Sequence, residues 1–185
     1  MSKNSIIPFL KDYLINFLTS PFLLDTNEKG YYVYSPYLTM EMFQTESAYD
    51  SEMFLENDIN IFKKVLGADA AMFTIIKSWS RKTITGQLTV GVEYILRSTS
   101  TGETLYHREG LINVDTSINT GGGLLGTVVS MAATALSTAM TDKVVAGRKC
   151  NAFVLSDMPV GKYSPNYGKD QNLEAGKSYI KATVK

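Results

Sequence analysis

The chain has one cysteine, one histidine and one tryptophan in 185 residues, and no surplus of charge: 18 Lys and Arg stand against 18 Asp and Glu. Each shortage excludes a class of function. A lone cysteine, Cys150, forms no intramolecular disulfide and supplies no cysteine-based zinc site. A lone histidine, His107, leaves no pair for a His-dominated metal site, and a Ser-His-Asp triad would have to pass through it. Zero net charge argues against a general nucleic-acid or anionic-membrane binder, which needs a basic excess. What remains is ordinary: 44% hydrophobic and 19% charged residues describe a globular domain, not a disordered tail. A chain of this length buries roughly 70% of its unfolded surface, enough for a core without staples.

An unbroken apolar run is also missing at the N-terminus. Ile6 to Leu24 is apolar and early, but Lys11 and Asp12 interrupt it and Asp25-Thr-Asn-Glu follows where a small-residue cleavage site would stand. No signal peptide is read there. Phe9, Leu10, Tyr13, Leu14, Phe17 and Leu18 recur at three- and four-residue spacing and predict a helix packed on a sheet, with Ser5 as its cap.

Gly30 ends the following turn, and Tyr31-Tyr-Val-Tyr34 reads as a short strand stopped by Pro36. Tyr37 to Glu46 predicts a short helix, and Asp50 to Leu55 a loop or weak helix. Asn57 to Leu66 is a clearer helix: Asn57 or Asp58 caps it, Lys63 and Lys64 sit at its negative end, and Gly67 stops it. Ala68 to Ser80 is a strand apolar on both faces, which predicts a central position. Gln87 to Ser98 alternates, with Leu88, Val90, Val92, Tyr94 and Leu96 on one face. A turn at Gly102 leads into a returning strand, Glu103 to Val114.

From Thr116 through Thr141 there is no charged residue. Gly121-Gly122-Gly123-Leu124-Leu125-Gly126 opens a predicted buried helix reaching about Lys143. Its Thr and Ser content is too high for a bilayer span, and its small residues at four-residue spacing suit close packing. No Lys follows the glycines, so a phosphate-binding loop is excluded. Val144 to Val154 is helical or extended. Residues 159–185 form a Pro/Gly/Tyr-punctuated tail on a single domain of residues 1–158, with Lys177 to Val184 as a late edge strand.

No cofactor or metal is implied. Cys150 next to Arg148 and Lys149 is read as a semi-buried thiol, and His107 as a half-exposed strand residue. Tyr31, Tyr32, Tyr34 and Tyr37 can supply a binding surface or strand core.

Four segments in order resemble one family: Lys29-Gly-Tyr-Tyr-Val-Tyr34, Leu66-Gly-Ala-Asp-Ala-Ala71, Gly121-Gly-Gly-Leu-Leu-Gly126 and Tyr163-Ser-Pro-Asn-Tyr-Gly168. The order is similar to that of an uncharacterised bacterial lipoprotein family that includes a meningococcal surface antigen, with a Bacteroidetes flavour. Thr101-Gly-Glu-Thr-Leu-Tyr106 fits the family's strand turn. The resemblance implies an α/β domain, bordering on α+β, related in shape to the N-terminal domain of TolB and to CsgG. It implies a location on the periplasmic face of the outer membrane and often a CsgG-like partner, with no enzymatic activity. The lipobox Cys of the family and its first strand are not seen in this sequence, so membrane attachment would need an anchor the chain does not carry. The sheet is then expected to be incomplete beside Tyr31–Tyr34, or another segment or chain to pair there.

The expectation is a mixed sheet of about four strands with helices packed on it. The expected function is protein–protein contact in an envelope assembly or export system, without bond chemistry and without nucleic acid. Tyr31, Tyr32, Tyr34, Gly121, Gly122, Gly123, Leu125 and Gly126 are the expected contact residues, and a homo-oligomer is open. Two alternatives stand: a small-ligand module using the Tyr31–Tyr37 cluster, and a hydrolase using His107.

Overall fold

The computed structural model describes residues 29–35, 39, 41–42, 53–56, 58–82, 86–117, 131, 134, 143–170, 172 and 176–185. A mixed four-stranded sheet carries the fold. Its strands are β1 (Ala70–Lys82), β2 (Gln87–Ser98), β3 (Thr104–Asp115) and β4 (Tyr179–Val184), in spatial order β1-β2-β3-β4. The first three form an antiparallel meander, and β4 lies parallel to β3. The described helices are α1 (Met53–Glu56), α2 (Asn60–Leu66) and α3 (Lys143–Val154).

The alternation in β2 sets the layers. Leu88, Val90, Val92 and Tyr94 are fully buried on one face, and Ile112 and Val114 of β3 continue that face. Helix α3 covers it: Ala146, Cys150, Asn151 and Val154 recur at helical spacing and are all fully buried, the stripe expected of a helix lying on a sheet. Each Val, Leu or Ile side chain taken fully out of water here contributes about 1.5–3 kcal/mol. Met72, Ile76 and Trp79 of β1 and Ile180, Ala182 and Val184 of β4 pack around the margin of this core.

The opposite face is covered at one end. There Phe54 and Ile59 are buried, with Phe62, Leu66, Ala71 and Phe73 packed on them. The Asp58 carboxylate, just before α2, accepts the Asn60 N–H at 2.9 Å, and the N-cap position of α2 is Ile59 rather than the expected Asn57 or Asp58. Gly67, at φ 66°, ends the helix, its N–H donating to Lys63 O and that of Ala68 to Phe62 O. This is the glycine stop the sequence predicts.

Three expectations are corrected. Tyr31–Tyr34 is extended but joins no ladder. The neighbouring backbone pairs with the tail instead, Gly161 N–H donating to Lys29 O at 2.9 Å and Tyr163 N–H to Gly30 O at 3.0 Å. The expected incomplete sheet edge beside Tyr31–Tyr34 therefore does not arise at that segment, and the pairing by another segment expected as its alternative comes from the tail. Strand β1 is not central: it ends the strand order among the described residues. Its two apolar faces reflect α2 on one side and the main core on the other. Val144 to Val154 lies within helix α3, which covers the main core. Most of the predicted glycine-led helix, and the N-terminal one, lie outside the described residues.

Candidate functional site

The tail and residues 29–34 lock together and build a surface of tyrosines. The Lys29 ammonium donates to Ser156 O at 2.8 Å and Met158 O at 3.2 Å, just beyond α3. The Tyr31 hydroxyl donates to Pro159 O at 2.7 Å. Burial pushes the Tyr31 phenol up, and nearby Asp170 and Tyr167 push the same way, so it remains a neutral donor. Gly30 takes φ 82°, and a Cβ there would collide with Ser164. Only glycine fits that crossing without strain.

Alternation then divides the tyrosines. Tyr31 is half-buried against the core, while Tyr32 is 72% exposed and Tyr34 43% exposed. Tyr32 and Tyr34 meet edge to face at 5.5 Å. The Tyr34 hydroxyl donates to Leu66 O at 2.7 Å, using a free carbonyl at the end of α2. From the tail come Tyr163 and Tyr167, 65% and 63% exposed. Lys162 lies over the Tyr163 ring at 5.3 Å and reaches Asp69 at 3.8 Å, where Lys63 also binds at 2.6 Å. The Asp69 carboxyl is held below the usual range, first by its hydrogen bond from Lys63 and then by the charges of Lys63 and Lys162. Exposed aromatic rings on a hydrogen-bonded backbone offer large contact area at little entropic cost.

Of the expected contact residues, the structure brings Tyr31, Tyr32 and Tyr34 into this surface, with Tyr31 as an anchor rather than an exposed ring. Gly121, Gly122, Gly123, Leu125 and Gly126 lie outside the described residues. Tyr163 and Tyr167 were not among the expected residues. Their signal was present in the Tyr163-to-Gly168 motif, whose Pro165 and Gly168 announce a loop that leaves its aromatics outside.

His107 sits on the face of the sheet opposite α3. Its Nε2 is 2.8 Å from Glu93 Oε1, and Lys77 Nζ is 2.5 Å from Glu93 Oε2. Hydrogen bonding from Lys77 is the largest influence on the Glu93 carboxyl; burial opposes it, His107 adds to it, and the net effect is to lower the pKa. Cys150 is across the sheet in the core, where burial pushes its thiol up to about 12. The structure therefore does not bring this thiol to His107. Among the described residues no group of three or more His, Cys, Asp or Glu could hold a metal ion, and no helix is long and apolar enough to cross a membrane.

A buried polar row crosses the core beneath α3. Thr74, Tyr94 and Arg108 are direct neighbours across β1, β2 and β3. The Tyr94 hydroxyl donates to Asn151 Oδ1 of α3. Arg108, 2% exposed, forms a two-pronged pair with Asp157: Nη1 to Oδ1 at 2.9 Å and Nη2 to Oδ2 at 2.9 Å. Its Nη1 also donates to Val154 O at 3.3 Å, and its guanidinium lies 5.3 Å from the Tyr106 ring centre. Burial raises the Tyr106 phenol to about 12, against the lowering effect of Arg108. Sequence reading missed this row, although its signal was legible: Arg108 interrupts the inward series Tyr106, Gly110, Ile112, Val114 with a charge.

Comparison with known proteins places the chain. No curated protein matches it. The crystal structure of lipoprotein GNA1162 from Neisseria meningitidis is similar in fold, with a TM-score of 0.50 and 20% sequence identity over 68% of this chain and 88% of that one. The family model described as "Putative lipoprotein GNA1162-like" matches residues 14–159. The order of motifs, the mixed sheet and that match agree: the chain belongs to the GNA1162-like lipoprotein family.

Proposed function

We propose that this protein works by protein–protein contact at the cell envelope, through the surface formed by Tyr32, Tyr34, Tyr163 and Tyr167. The observation that carries the reading is the exposure of these rings on a backbone fixed by the Lys29, Gly30 and Tyr31 bonds to the tail. Tyrosine is enriched among the residues that dominate binding energy, where truncation of one ring costs about 2 kcal/mol or more. A membrane-associated envelope location follows the lipoprotein family. The finer setting proposed is the periplasmic face of the outer membrane, with a CsgG-like lipoprotein as partner in assembly or export. The protein contributes buried area and orientation, not bond chemistry.

The test is a variant carrying Tyr32→Ser, Tyr163→Ser and Tyr167→Ser. The expected result is loss of the envelope partner on co-purification from the native host, with an unchanged melting temperature. Undiminished recovery of the same partner would overturn the assignment of the surface.

A further inference from the structure

We propose that β4 is a detachable strand latched by the Asp157 carboxylate, and that opening the latch bares the β3 edge while β1, β2 and β3 stay folded. The argument starts from how unevenly the sheet is held. Strands β1, β2 and β3 follow one another in an antiparallel meander whose ladders run nearly their whole length. Strand β4 is reached only through the long segment after α3 and pairs with β3 over Glu109 to Val114 alone. No side chain of β4 is fully buried: Ile180, Ala182 and Val184 are half-buried and the alternate residues are exposed. Low apolar burial and few ladder bonds mark a segment that opens independently of the rest.

Among the described residues, one carboxylate ties the entry to β4 to the rest of the fold. Asp157 Oδ2 accepts the Gly176 N–H at 3.0 Å and the Arg108 Nη2–H at 2.9 Å. The same oxygen thus joins the chain entering β4 to the buried guanidinium of β3. Two residues on, Ser178 O accepts the Glu109 N–H at 2.8 Å and starts the ladder. The fit at Gly176 is steric as well as polar. A Cβ there would collide with Asp157 Oδ2 and come within 3.1 Å of Arg108 Nη2. Any side chain at this position forces the carboxylate and the strand entry apart. Release leaves the β3 edge with unpaired N–H and C=O groups, the template on which another strand adds.

Amide hydrogen exchange on the full-length protein tests the latch, with Asp157→Asn removing the charge and Gly176→Ala forcing the strand entry and the carboxylate apart while Asp157 and Arg108 are both retained. The expected result for each is exchange at least about tenfold faster at Glu109 and at Ile180–Val184, with Met72–Ile76 and Val90–Tyr94 unchanged. Uniform acceleration through β1 and β2 would make Asp157 a general structural support and overturn the proposal. Unchanged exchange in β4, or failure of both variants to fold, would overturn it equally. Should only Asp157→Asn fail to fold, the Gly176→Ala pattern decides.

Discussion

Replacing Gly110 with alanine tests how tightly α3 is seated on the sheet. Gly110 is buried in β3, opposite Val92 on one side and Ile180 on the other. A Cβ built there lies 2.8 Å from Val154 Cγ2 and 3.6 Å from Cγ1, whereas carbon atoms rest at about 3.5–4.0 Å. Val154 is the last residue of α3 and cannot simply retreat. Its carbonyl accepts from Arg108 Nη1 and from the Tyr106 hydroxyl, each at 3.3 Å. Overpacking of this kind costs about 1–3 kcal/mol. For a protein of this size that lowers the melting temperature by roughly 2–4 °C per kcal/mol. The assay is urea denaturation, in which the midpoint falls with an unchanged slope. A second substitution identifies the cause. Val154→Ala alone leaves a cavity and costs stability, but in the Gly110→Ala background the new methyl occupies part of that space. The two costs should then fall short of additivity by at least about 1 kcal/mol. A neutral Gly110→Ala, or strict additivity in the pair, would refute the claim that β3 and α3 meet at this point.

Tyr94→Phe leaves the buried Asn151 side chain without the hydroxyl that serves its Oδ1, at a cost of about 1–3 kcal/mol in denaturation; adding Asn151→Leu should restore at least about 1 kcal/mol, because replacing both partners removes the unpaired amide. The Lys77–Glu93 pair should shape stability against pH. The Glu93 carboxyl is lowered, with the Lys77 hydrogen bond as its largest influence, so its contribution is complete above the ordinary value of about 4.3 and fades as pH falls through the lowered one. Lys77 is raised, again chiefly by its hydrogen bond to Glu93, so its contribution is complete below about 10.4 and fades as pH rises through the raised value. Lys77→Met should flatten both limbs of the denaturation midpoint against pH, and a curve identical to that of the parent chain would remove the pair from the account. Cys150, fully buried with its thiol raised to about 12, should react with a disulfide reagent at neutral pH only after unfolding; rapid labelling of the native protein would show that the core beneath α3 is open.

Much of the sheet is legible in the sequence because its signals are local. Leu88 to Leu96 alternate, Gly102 marks the turn, and the partner strand returns at once, so antiparallel pairing follows from neighbours. Gly67 and the two lysines before it likewise declare the end of α2. Tyr31–Tyr34 misleads because aromatic and branched residues suit any extended, half-buried backbone. Whether such a segment pairs depends on what lies beside it, and here it is the tail. Strand β1 misleads for a related reason: two apolar faces report cover on both sides, which α2 supplies without a central place. The site is less legible than the fold. Tyr32 and Tyr163 are far apart in sequence, and only the crossing at Gly30 and Gly161 brings them together. The Arg108–Asp157–Gly176 contact joins three separate elements in the same way, and only the charge at an inward position hints at it.

Site-specific photocrosslinking measures the central claim most directly. A photoreactive residue is placed at Tyr163 in one version of the protein, and at Arg148, exposed on α3, in another. The account predicts a discrete adduct with one envelope protein from position 163 in native-host cells, abolished by Tyr32→Ser and absent from position 148. Equal crosslinking from both positions, or an adduct at 163 indifferent to Tyr32→Ser, would contradict it.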